Sequence, residues 1–154
     1  MPEDRDPLLE QIYSETQALV AGLELLLGPD FLEQAMQLRW QLENAARTSA
    51  RVLRCDDDRE AAGKATELLC ALFPGETPIP DDWWSSPLGR ACAMTAGHPT
   101  AEHVSYSVAG AMLGGISRQR IGVLVDAGRL DRHPDGGVTV VSVQQRLKSQ
   151  SPSA

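Results

Sequence analysis

The sequence predicts a mainly α protein, with a helical bundle in front and a smaller unit of short helices and one hairpin behind it. Three observations predict this. Apolar residues recur at helical spacing through most of the first hundred positions, the charge balance changes sign between front and rear, and a series of glycine-marked turns begins near residue 104.

The chain has 154 residues, enough for two small domains that each bury a modest core. Aromatics make up only 5% of it, so Leu, Val, Ala and Met must build those cores. Cys55, Cys70 and Cys92 are an odd number without a CxxC pair, which argues against a disulfide framework or a structural zinc site and for reduced thiols. There is no run of 18 apolar residues, and the first residues are polar and acidic. A cytoplasmic protein with no membrane span is the expectation.

The net charge of -7 is unevenly spread. Residues 1–103 hold 8 Lys+Arg against 18 Asp+Glu, a balance of -10, whereas residues 104–154 hold 6 against 3, a balance of +3. Phosphate attraction belongs to the rear, and the front would be repelled from the same polyanion.

In the front, Asp6 is placed to cap a helix with Pro7 at its first position. Leu8, Ile12, Leu19, Leu23 and Leu26 follow along one face until Gly28-Pro29 ends it. A second helix is expected from Asp30, with Phe31, Leu32, Ala35, Met36, Leu42, Ala46, Ser49 and Leu53 on its stripe. Asp57, with Glu60 three residues on, forms a capping box for a third helix that runs to Phe73 before Pro74-Gly75. Residues 75–85 read as a loop carrying Trp83-Trp84, a pair expected to fold back over a helical core. Ser86-Pro87 opens a short helix that Gly97 closes. These elements give an acidic helical domain over residues 1–97.

The rear unit, residues 104–148, begins with a helix over residues 107–113 that buries Val108, Ala109, Met112 and Leu113. Gly114-Gly115 supplies the turn, pinned by Ile116. Ser117 caps a second helix over residues 118–127, whose inner face is Ile121, Leu124 and Val125 and whose first turn exposes Arg118, Gln119 and Arg120. Two strands are expected at residues 129–133 and 138–141, joined by Pro134-Asp135-Gly136-Gly137. Ser142 then caps a last helix to Lys148, and residues 149–154 are expected to be a disordered tail.

A helix presented by its N-terminal turn suits the major groove, where Arg pairs with guanine and Gln with adenine, while a hairpin beside it offers Arg129, Arg132 and His133 to phosphates. At these residues the rear resembles the winged helix-turn-helix domains of the MerR and excisionase-like families. The resemblance covers about 45 residues and rests on S-V-A-x-x-x-L-G, I-S-R-Q-R-I, G-R-L and H-P-D-G-G-V. It implies double-stranded DNA binding, as in a transcriptional regulator, with contacts that fall here on Arg118, Gln119, Arg120 and Arg132. One departure is Gly114-Gly115, where those families have a single glycine before the apolar-Ser pair. Gly122 inside the second helix is a second cost, about 1 kcal/mol relative to Ala.

Other chemistry has less support. Cys92, His98 and His103 match no common zinc spacing, and no Ser/His/Asp set, Cys/His set or phosphate loop is present, so no metal, cofactor or enzymatic activity is expected. The front helices are expected to form a homodimer, because one such DNA unit reads only a few base pairs and a second copy adds a half-site. The alternative is an interaction protein whose acidic front binds another macromolecule.

Overall fold

The structure, a computed structural model, describes residues 6–151 and divides into two compact units between Cys55 and Asp56. The described residues are mainly helical, with one two-stranded sheet. No helix among them is long and apolar enough to cross a membrane.

The first unit is a helical hairpin. Helix α1 spans Pro7–Leu27 and is capped by Asp6, whose side chain accepts from the Leu8 amide at 3.1 Å. Gly28, at φ 73°, ends it, and a 3-10 turn at Pro29–Phe31 leads into α2, Leu32–Leu53. The two helices pack along a seam that buries Leu8, Ile12 and Val20 of α1 and Ala35, Ala46, Ala50 and Leu53 of α2. An Asp6–Arg54 ion pair joins the two chain ends of the hairpin, and that guanidinium holds the Asp6 carboxyl below the usual range. Leu32 and Met36, expected on the inner stripe, are instead exposed, because alanine-sized side chains at positions 35, 46 and 50 set the α2 face that meets α1.

The second unit begins with α3, Asp58–Leu72, whose cap Asp57 accepts from the amides of Arg59 and Glu60. A 3-10 turn at Asp81–Ser85 and α4, Pro87–Thr95, follow. Trp84 is buried and Trp83 stands edge-on between Phe73 and Trp84, so the tryptophan pair does cover the helices. Next come β1, His103–Val104; α5, Tyr106–Met112; α6, Arg118–Asp126; β2, Val138–Thr139; and α7, Val140–Gln150.

The expected front domain of residues 1–97 is thus divided differently, since α3 and α4 pack with the elements behind them. The physical reason is a contact between distant parts of the chain. Leu88, Cys92 and Ala93 of α4 are buried in this unit, and the Gln144 side chain of α7 donates to the Met94 and Thr95 carbonyls at 3.0 Å, satisfying the end of α4. Burial pushes the Cys92 thiol up to about 12, leaving it an unreactive core group.

Two further expectations change at the hairpin. The partner of β2 is β1, with His103 opposite Thr139 and Val104 opposite Val138, and of residues 129–133 only Arg132 bridges to Val138. The amides of Arg129 and Leu130 are taken by the Leu124 carbonyl at the end of α6, so they cannot join a ladder. The last helix starts at Val140 rather than after Ser142, because the Thr139 hydroxyl accepts from the Ser142 amide. Ser142 is buried instead, where its hydroxyl donates to the Thr139 carbonyl and accepts from the Asp131 amide. Helix α7 continues through Ser149 and Gln150, so the expected tail is shorter by these two; residues 152–154 lie outside the described ones.

Candidate functional site

The candidate site is built on α5, α6 and the turn between them. Ser105 caps α5 by accepting from the Val108 amide, and Ala109 and Met112 anchor that helix in the core. The amides of Gly115 and Ile116 both donate to the Gly110 carbonyl, at 2.9 and 3.0 Å, which closes the turn tightly over α5. A side chain at Gly110 would put its Cβ 2.3 Å from the Ile116 carbonyl oxygen, so this close approach requires glycine. Gly114 and Gly115 have φ of 97° and 82°, which explains the paired glycines: both turn residues are left-handed.

Ser117 accepts from the Arg120 amide at 3.2 Å and starts α6. Ile121 and Leu124 fix the inner face of that helix, so Arg118, Gln119 and Arg120 emerge on exposed positions of its first turn. Their side chains have no hydrogen-bond or ion-pair partner among the described residues.

Beside α6, the Arg132 guanidinium donates to the Tyr106 hydroxyl at 3.2 Å, an interaction that holds Arg132 above its usual range and fully exposed. The Tyr106 ring lies against α6, with its Cε2 4.0 Å from where a Gly122 side chain would begin. Tyr106, which the sequence does not mark as functional, therefore ties the hairpin arginine to the helix; only the contact itself reveals it. The turn after His133 closes as expected, with the Gly136 amide donating to the His133 carbonyl and the His133 amide to that of Gly137.

His133 has a different setting from Arg132. Its ring stacks on His103 at 4.1 Å and 13°, and its Nδ1 accepts from the Asp135 amide, so the turn and β1 already engage it. Arg129 is exposed at the rim of a polar cleft of about 340 Å³ that Ser142, Gln145, Arg146 and Ser149 of α7 also line. The sequence-derived set thus divides: Ser117, Arg118, Gln119 and Arg120 lie on one helical turn, Arg132 is held beside that helix by Tyr106, and Arg129 and His133 belong to separate surroundings. No cluster of three or more His, Cys, Asp or Glu able to hold a metal occurs among the described residues.

No protein-family model matches this chain, and no match was found among curated proteins or solved structures.

Proposed function

We propose that this protein binds double-stranded DNA sequence-specifically as a transcriptional regulator, through a winged helix-turn-helix formed by α5, α6 and the hairpin at residues 131–139. One observation carries the reading: α6 begins at a serine cap and exposes Arg118, Gln119 and Arg120 in its first turn, all without partners among the described residues. That is the chemistry and placement that base edges in the major groove require. Arg132, held by Tyr106, supplies phosphate contact from the wing.

The first unit supplies self-association in this reading. Leu19, Leu23, Leu25, Leu26, Leu27, Leu32, Met36 and Trp40 are all exposed around the hairpin tip, with Leu25 at 85% and Leu26 at 81%. At about 100 Å² each they expose on the order of 800 Å² in all, of which one partner covers part, because Leu25, Leu26 and Leu27 are consecutive on α1 and point in different directions. Of the charges in this stretch, Glu24 and Arg39 pair with each other at 2.6 Å, while Asp30 and Glu33 stay exposed among the apolar side chains. A second copy is the occupant that also doubles the DNA half-sites. The adaptor reading, in which this face binds another protein, predicts a monomer in solution.

Selection from random duplexes followed by binding of variants tests the DNA reading. Arg118→Ala and Gln119→Ala should each cost about 1 to 3 kcal/mol on the selected site and much less on random DNA. Arg132→Ala should weaken both duplexes alike and lower the salt slope by roughly one ion. If every replacement behaves like Arg132→Ala, attraction is by charge alone and no base is read; absence of binding by the native chain removes the function.

A further inference from the structure

We propose that Arg90, on α4, is a second phosphate contact of this interface, so that the DNA-binding surface extends beyond residues 104–148. The inference rests on the DNA reading above and adds a residue from a helix outside the two-helix motif.

Arg90 is exposed and has no side-chain hydrogen bond or ion pair among the described residues. Its place is nevertheless defined. A Cβ built on Gly114 would lie 3.8 Å from the Arg90 Cζ, 3.9 Å from Nη2 and 4.0 Å from Nη1. Near-equal distances to all three atoms mean that the guanidinium lies flat over Gly114, with its N–H groups directed around the rim of the plane. Gly114 and Gly115 are both exposed and lack side chains, and a Cβ on Gly115 would meet nothing within 4 Å, so nothing from the turn screens that rim. An unpaired, planar fork with free N–H groups is the group that takes phosphate oxygens in pairs.

Position supports the assignment. Gly114 precedes Ser117 by three residues, so the Arg90 guanidinium stands at the turn that delivers the first turn of α6. Arg132 is tied to Tyr106, the first residue of α5, while Arg90 overlies Gly114, just past the end of that helix. Helix α5 runs from Tyr106 to Met112, so Arg132 is attached at its first residue and Arg90 lies over the turn beyond its last. The two arginines are therefore attached toward opposite ends of α5 and offer separate phosphate contacts.

The electrostatics give each such group weight. From Asp56 onward the chain carries 9 Lys+Arg and 12 Asp+Glu, so the unit as a whole is acidic. Its average field repels DNA, and affinity must come from cations that are locally unpaired. Lys148 is engaged by Asp58, whereas Arg90 is free of such a partner among the described residues.

The test uses the full-length chain with Arg90→Ala, Arg90→Lys and Arg118→Ala, titrated against the selected duplex and a random duplex over a series of salt concentrations. Arg90→Ala is expected to weaken both duplexes by a similar factor, on the order of tenfold, and to reduce the salt slope by about one. Arg90→Lys should recover the slope and part of the affinity, because it keeps the charge and loses the fork. If Arg90→Ala binds as the native chain does while Arg118→Ala is impaired, the inference falls and the DNA reading stands. A loss confined to the selected duplex would make Arg90 a base contact and overturn the phosphate assignment. If the native chain binds neither duplex, both fall. Arg90→Lys keeps the test decisive if Arg90→Ala alters the fold.

Discussion

The two units meet the same requirement, burying apolar side chains, with opposite results. The second unit closes on itself: Trp84, Leu88, Met112, Ile121, Leu130, Val138 and Val143 are all almost fully buried, although most of its elements are no longer than a few turns. The first unit has the two longest helices of the described chain, yet eight large apolar residues around its tip stay in water. Two helices share a single seam, and a seam takes only the side chains that point into it. Everything else on a leucine-rich helix must face solvent or another molecule. The second unit thus buries its large apolar side chains internally, whereas the first leaves much of its apolar surface exposed, which is where the proposed self-association would act.

The largest expected effect tests that contrast directly. Replacing Leu19 and Leu26 together by Glu should convert a dimer to a monomer in sedimentation velocity and lower DNA affinity by a factor on the order of 100 or more, as avidity is lost. A dimer that survives the change would place the interface elsewhere, and a native chain already monomeric would favour the adaptor reading.

The next effect belongs to the closed unit. Gly110→Ala forces a Cβ to within 2.3 Å of the Ile116 carbonyl, and should cost about 2 to 3 kcal/mol in urea unfolding of the second unit. Gly122→Ala is the control, because its Cβ would meet only the Tyr106 ring at 4.0 Å; it should instead stabilise α6 by up to about 1 kcal/mol. Equal effects of the two would mean that the tight turn does not limit stability.

The smallest effect is a pH dependence. Burial lowers the His98 pKa, and its Nδ1 accepts from the amides of Thr100 and Ala101, bonds that a proton on Nδ1 would break. The unfolded chain therefore takes up this proton first, near the ordinary value of about 6.5. Stability from this group is complete above that pH and declines as pH falls below it. His98→Asn should flatten the change in unfolding midpoint between about pH 7.5 and 5.5; an unchanged profile would show that other groups govern it.

Much of the helical framework was legible in the residues. Asp6, Asp57, Ser86 and Ser117 each cap the helix expected of them, because capping is a local matter between a side chain and amides two or three residues on. The exposed turn of α6 followed in the same way from Ser117 and from the spacing of Ile121 and Leu124. The hairpin was less legible. Its turn was written in Pro134 to Gly137, but the strand before it competed with the Leu124 carbonyl for the amides of Arg129 and Leu130, and the helix end took them. The Tyr106–Arg132 contact and the placement of Arg90 over Gly114 were invisible, since nothing nearby in sequence marks the partner in either one.

Local patterning thus sufficed for the starts of α1, α3, α4 and α6 and for the polar turn that opens α6, but not for the starts of α2 and α7. The former depend on interactions within a few residues. Long-range packing sets the rest: α3 and α4 join the rear unit, β1 pairs with β2 while residues 129–133 reach it only through Asp131, Arg132 and His133, and Arg90 lies over Gly114. Each of these is a competition between distant partners for the same buried surface or the same backbone group, and it is resolved only when the whole unit packs.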